Sequence, residues 1–321
     1  MPGSPLPTAV PPAVRPVIPP VVAVVGATAA GKTDLSLSLA QRLGGEVVNT
    51  DAMQVYRGMD IGTAKQPVEL RRGITHHLLD LLDIDQAASV ADFQALARAT
   101  ITDLRGRGRV PVLVGGSALY TRAVLDRFEF PGVDPAVRRQ LTDELDRIGP
   151  DALHARLAQL DPPAAQGIPA TNARRVVRAL EVIEVTGQRY SSSLPVLEYK
   201  LDGAHQIGVD IDRATLHERI SRRVDLMFEQ GFVDEVRTLV QQGLPDAVTA
   251  SRAIGYPEVM RMLAGEITEA EAREKTKTAT RRFARKQDGW FRKDPRITWL
   301  AWDDPDLVDK AVAVIDEQSR Y

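Results

Sequence analysis

The chain contains no cysteine. Disulfides, thiolate zinc sites and a cysteine nucleophile are therefore excluded. No apolar run approaches the roughly 18 residues of a membrane span, so no spanning helix is expected. No charge of one sign dominates: 41 Lys and Arg face 43 Asp and Glu, for a net charge of −2. Global basicity thus gives no sign of a nucleic-acid partner, and only local basic clusters remain as candidates. No internal repeat of about 20 to 50 residues is present.

What is present is ordinary globular material. The 321 residues are 44% hydrophobic and 26% charged. That suffices for one large domain, or for a core with a smaller appendage. The first 20 residues hold eight prolines and no continuous apolar stretch. A signal peptide needs an uninterrupted apolar segment. A mobile Pro-rich tail over 1–20 and a cytoplasmic setting are expected instead.

Val21-Val22-Ala23-Val24-Val25 is short, β-branched and apolar, and reads as a buried strand. A helix over 32–43 follows, with Leu35, Leu39 and Leu43 on one face and Gly44-Gly45 as its stop. Strands are expected over 46–50, 110–114, 206–211 and 297–302. Ser117 is placed to cap a helix beginning at Ala118. Such alternation implies a parallel α/β sheet. Strand signals vanish between about Pro131 and Pro195, where 135–148, 151–160 and 172–186 have helical periodicity. The expected organisation is a first core part over 21–130, a helical insertion over 131–195, and a core completion over 196–321 ending in basic helices.

Gly26-Ala27-Thr28-Ala29-Ala30-Gly31-Lys32-Thr33 matches the phosphate-loop pattern without departure. The glycines allow a tight turn whose N–H groups point inward, and the helix after it adds the positive end of its dipole. Lys32 offers a charge to terminal phosphates, and Thr33 a hydroxyl suited to Mg²⁺. Taken alone, the loop suggests ATP or another nucleotide. It names a ligand class, not a reaction. A plain NTPase is weakened: the best apolar strand ends in Gly115-Gly116 rather than an acid, and the Asn-Lys-x-Asp guanine signature is missing. Asp51 closes the second strand. Ligands gather outside the carboxyl ends of strands in open α/β sheets, so Asp51 is expected to face the phosphates as metal ligand or proton acceptor. Helix capping is the alternative.

Several blocks are familiar. They run from Asn49-Thr50-Asp51-Ala52-Met53-Gln54 through Asp60-Ile61-Gly62-Thr63-Ala64-Lys65. They continue with His76-His77-Leu78, Val90-Ala91-Asp92-Phe93, Gly115-Gly116-Ser117-Ala118-Leu119-Tyr120 and Arg178-Ala179-Leu180-Glu181-Val182. Ser251-Arg252-Ala253-Ile254-Gly255-Tyr256 and Trp290-Phe291-Arg292 complete the series. Together with the phosphate loop, and in this order over 21 to about 295, they resemble the bacterial tRNA dimethylallyltransferase family. The resemblance implies a P-loop NTPase-like parallel core carrying an inserted all-helical domain. It implies transfer of a dimethylallyl group from dimethylallyl diphosphate to the exocyclic amine of the adenosine 3′ of the anticodon in certain tRNAs, with Mg²⁺ and a monomeric enzyme.

The resemblance also assigns residues. The loop residues Gly26 to Thr33 hold the diphosphate, Thr28 touches it, and Arg252 grips it from the far side. Asp51 is the candidate base, with Ser117 beside the target adenine. Contacts to tRNA are implied for Asp51, Ala52, Met53, Gln54 and Ser117. On the insertion and the late helix they are implied for Arg139, Arg174, Arg175, Val176, Val177, Arg178, Arg281 and Arg285. Three positions depart from the family pattern: Ser117 for threonine, Arg174 for glutamine, and Asp288-Gly289 for a hydrophobic-threonine pair. Lys275, Lys277, Arg281, Arg282, Arg285 and Lys286 have no acid among them and suit an RNA backbone track. A solvated charged face is the other reading. His76 and His77 lack further ligand spacing and read as structural. Two rival functions remain: a P-loop nucleotide kinase, and a prenyltransferase acting on free adenine nucleotides. A non-enzymatic nucleotide-holding or RNA-binding protein is a third.

Overall fold

The computed structural model describes residues 18–128, 130–193 and 197–318. Most of the Pro-rich tail, residues 1–17, and part of the Ser191 to Pro195 boundary lie outside the described residues. Six parallel strands form one sheet. They are β1 (Val21–Val25), β2 (Glu46–Asn49), β3 (His76–His77), β4 (Pro111–Val114), β5 (Ala204–Asp210) and β6 (Ile297–Ala301), in spatial order β3-β2-β4-β1-β5-β6.

The strand pleat splits the apolar run of β1 between two layers. Val22 and Val24 pack with Leu35, Leu37 and Leu39 of α1 (Lys32–Leu43) on one face. Val21, Ala23 and Val25 pack on the other face with Phe93, Ala97, Ile101 and Leu104 of α2 (Val90–Gly106), and with Val124 of α3 (Ala118–Leu125). Both faces are covered, which is why the strand reads as continuously apolar.

Residues 135–186 form four helices: α4 (Pro135–Ile148), α5 (Pro150–Leu160), α6 (Pro162–Gly167) and α7 (Ala173–Thr186). They build a cluster of their own around Leu141, Leu153, Leu157, Val176 and Leu180. Asp134 and Asn172 cap α4 and α7. The chain leaves and re-enters the sheet layer through a short antiparallel pair, with Lys200 N–H donating to Leu125 O and Arg127 N–H to Glu198 O. Asp126, fully buried between them, takes both arms of the Arg296 guanidinium at 2.8 and 3.1 Å.

The chain then adds α8 (Arg213–Glu229), α9 (Phe232–Gln241), α10 (Tyr256–Leu263), α11 (Glu269–Phe291) and α12 (Leu307–Gln318). Ala311 and Ile315 of α12 join the α1 side of the sheet. Among the described residues no helix is long and apolar enough to cross a membrane.

Candidate active site

Parallel register brings the carboxyl ends of β1, β2 and β4 to one edge. Val24 and Asn49 both pair with Val114, and Thr50 N–H donates to Val114 O. The loop at 26–31, Asp51, and Gly115-Gly116-Ser117 therefore converge. Gly31 has φ 109° as the cap of α1, and Ala29 also takes a positive φ of 64°. That left-handed geometry turns the loop around its own interior. Lys32 Nζ donates to Ala27 O at 2.7 Å.

Thr28, Lys32, Thr33, Asn49, Asp51 and Gly116 wall a polar cavity of about 100 Å³. An apolar cavity of about 360 Å³ adjoins it, lined by Met53, Val224, Met227, Phe232, Ile254 and Phe283, with Ser117 and Arg252 on its wall. Thr28, Asp51 and Arg223 border both spaces. Burial and the neighbouring Arg223 charge lower the Lys32 pKa to about 7, against the attraction of Asp51. Burial raises the Asp51 carboxyl, opposed by the Met53 N–H at 2.9 Å and by Lys32. The acid is thus a stronger base than an exposed aspartate, and the lysine a weaker one than usual. Ser117 Oγ also accepts the Tyr120 N–H at 3.5 Å as the cap of α3, so one hydroxyl both caps the helix and faces the cavity.

Three residues of this site come from remote elements. Arg223 of α8 donates to Thr28 Oγ1 at 3.2 Å. Gln287 of α11 accepts the Thr28 N–H and donates to Gly116 O, both at 2.8 Å. Glu235 of α9 accepts the N–H groups of Asp60, Ile61 and Gly62 together with the Tyr256 hydroxyl. It fixes the loop at 60–65, where a Cβ on Gly62 would meet the Phe232 ring at 2.2 Å. Replacing Glu235 by Ala leaves these donors unmatched, so we expect a loss of about 1–3 kcal/mol in unfolding free energy, checked by urea titration.

The sequence-derived tRNA contacts fall into distinct groups. Ala52 and Met53 line the apolar cavity. Gln54 donates its amide to Thr63 O and Ala64 O, so its N–H₂ serves the loop. Arg139, Arg174 and Arg175 are exposed on the helical insertion. The side chains of Val176 and Val177 are buried at 1% and 7% exposure inside the insertion's own cluster, where they pack the insertion rather than present a surface. Arg178 is spent on Pro131 O, Gly132 O and the buried Glu181 carboxylate, which also binds Arg138, so it ties down the insertion's root.

Arg281 donates to Ser221 Oγ and, with Arg285, lines a basic cavity of about 190 Å³ behind Ala27. Lys277 turns inward to Asp225 at 2.9 Å and leaves the RNA track. Asp288 pairs with Arg292 one turn on, at 3.1 Å, and Gly289 lies exposed. That departure therefore adds a local ion pair and leaves the helix unbroken. His77 pairs with Glu46 at 2.7 Å and His76 with Ile74 O at 2.9 Å, in agreement with a structural reading. Among the described residues no group of three or more metal-ligating side chains occurs.

A parallel sheet, a phosphate loop after its first strand and an apolar chamber opening off that loop define the class as a P-loop protein. The family model described as IPP transferase matches residues 54–294. The tRNA dimethylallyltransferase of a Nocardioides species is 65% identical, aligned over 91% of this chain and 94% of the relative. That of Thermobifida fusca is 58% identical, over 92% and 94%. Solved structures are similar as well. The tRNA isopentenylpyrophosphate transferase of Bacillus halodurans has a TM-score of 0.68 and 42% identity, over 94% of this chain and 96% of that one. A eukaryotic dimethylallyltransferase acting on tRNA has a TM-score of 0.80 and 28% identity, over 93% and 79%. The chain belongs to the IPP transferase family and is an enzyme of the prenyl-transferring class.

Proposed function

We propose that this enzyme moves a dimethylallyl group from dimethylallyl diphosphate to the exocyclic amine of an adenosine 3′ of the anticodon, acting as a cytoplasmic monomer. The observation that carries the reading is the shared wall of the two cavities. A diphosphate seated on Thr28 and Lys32 points its hydrocarbon at Met53, Val224, Met227 and Phe232, with Asp51 beside the reacting carbon. A kinase acceptor site needs polar groups where this chamber offers side chains of low polarity.

Ionising the allylic C–O bond places charge on the departing diphosphate. The loop N–H groups, Lys32 and, across the chamber, Arg252 stabilise it. The adenine amine attacks the allylic carbon, and Asp51 takes the proton the amine then sheds. To reach the chamber the base must leave its stack. With no metal-ligand cluster among the described residues, Mg²⁺ would enter with the diphosphate, and the Thr33 hydroxyl is the side chain that would help to hold it. When bound, it supplies further charge neutralisation.

Incubating the protein with labelled dimethylallyl diphosphate and unmodified tRNA gives labelled tRNA. Phosphoryl transfer from ATP without labelling would sink the reading. Faster turnover on AMP than on an anticodon stem-loop would favour the free-nucleotide alternative. If nothing is labelled in either arm, the non-enzymatic reading gains.

Arg174 and Arg175 are exposed on the insertion. Changing either to Ala should leave kcat intact, weaken tRNA binding and lower the slope of log K against log salt by about 1. Filter binding over a salt series measures this.

A further inference from the structure

Gln287 lies near the C-terminal end of α11, just past Arg282, Arg285 and Lys286, all three exposed. Its own side chain turns inward and is only 4% exposed. Its amide spans two loops that are far apart in sequence. Oε1 accepts from the backbone of Thr28, and Nε2 donates to the backbone of Gly116. The orientation of the amide is forced: a backbone N–H can only donate and a carbonyl can only accept. A Cβ on residue 116 would lie 2.1 Å from Nε2, so Gly116 leaves room for this side chain.

Each end of the bridge abuts a residue that faces the reaction. Thr28 borders both cavities, and its hydroxyl oxygen already accepts from Arg223 at 3.2 Å, which leaves its proton free to turn to the diphosphate. Gly116 precedes Ser117, which lines the apolar cavity with Asp51. The bridge therefore runs from the diphosphate end of the site to the acceptor end.

We propose that Gln287 is a positioning residue that holds these two ends in register and so sets the approach of the acceptor amine to the allylic carbon. It borders the polar cavity, but both ends of its amide are committed to the backbone of residues 28 and 116, and it acts through them. The inference rests on the prenyl-transfer reading. Misplacing reacting atoms by about 1 Å costs on the order of 100-fold in rate without loosening either partner.

Two variants test it in the full-length enzyme with dimethylallyl diphosphate and tRNA. Gln287→Met keeps length and apolar volume but loses both bonds. Its kcat is expected to fall by about 10- to 100-fold, with KM for each substrate changed by less than about threefold. Gln287→Glu keeps the acceptor for Thr28 N–H but sets a carboxylate against the Gly116 carbonyl. Burial and that carbonyl raise its pKa. When protonated, the acid donates to Gly116 O and restores both bonds. The ratio of its kcat to that of wild type is therefore expected to climb as pH falls. A purely structural residue gives no such pH signature, and thermal unfolding separates loss of fold from loss of rate. A Met variant with kcat within about threefold of wild type, a rise in KM at constant kcat, or a pH-independent Glu ratio overturns the proposal. Should Gln287→Met not fold, the Glu ratio alone decides. Absence of transfer by wild type itself would instead overturn the functional reading.

Discussion

Replacing Asp51 by Asn lowers kcat for prenyl transfer by about 10²- to 10⁴-fold, the usual contribution of a positioned general base. The substitution keeps size, and the Asn Oδ1 still accepts the Met53 N–H that organises the loop. What disappears is the site's capacity to take a proton. The exocyclic amine of adenine is a poor nucleophile and becomes acidic only as the new bond forms, so the proton must leave near the transition state. At a pH low enough to keep Lys32 protonated, binding of inorganic diphosphate should hold or tighten in the variant, because one negative charge beside Lys32 is gone. The pH profile supplies the second check. Burial raises the Asp51 carboxyl, so the active, ionised form accumulates only above that raised value. In wild type kcat/KM climbs through this limb as pH increases, and in the Asn variant the limb is lost. Rapid-quench turnover on tRNA measures both quantities. A variant that keeps wild-type kcat would reduce Asp51 to a loop-capping residue.

Much of this site was legible because its first layer is local. The phosphate loop, Asp51 and Ser117 each lie within three residues of a strand end, and parallel pairing of β1, β4 and β2 converts three separate strand ends into one edge. Three helices of the insertion were readable from apolar periodicity, while the six-residue α6 was too short to show one.

Other elements carried weaker signals. Strand β3 is two residues long, too short for any alternation. Helix α2 buries Phe93, Ala97, Ile101 and Leu104, but an alanine interrupts the stripe and blurs its period. The second layer of the site was hidden for a different reason. Gln287 meets Thr28 across 259 positions and Arg223 meets it across 195. The most family-specific block also changes meaning in three dimensions. Lys65 is buried and binds Tyr56 O, Asp60 and Asp80, while Glu235 holds the N–H groups of residues 60–62. Much of that block shapes the loop that walls the apolar chamber. Val176 and Val177 stand beside arginines in sequence but turn to the insertion's own core, because neighbours along a helix point to different sides.

Lys32 is expected to show the other large effect, and its sign can be worked out. Removing the charge that faces the departing diphosphate, as in Lys32→Ala, should lower kcat/KM by about 10²- to 10³-fold, as for loss of one preorganised donor to a developing anion. The protonated lysine is the useful form. Its pKa in the free enzyme is about 7, so the charge is present below that value and lost as pH rises through it. The wild-type kcat/KM profile should therefore fall on its alkaline side, even though an ordinary lysine would still be charged there. Lys32→Arg separates charge from geometry. A guanidinium stays ionised across this range, so the alkaline fall is abolished, although the planar fork docks less well in a loop shaped for a point charge and the plateau is lower. The two limbs are coupled, because Asp51 helps to hold the Lys32 proton. In Asp51→Asn that support is gone, and the alkaline limb of the residual activity should move to lower pH. An alkaline limb at the same pH in both enzymes would mean that the two side chains do not share one field, and would separate the base from the diphosphate site.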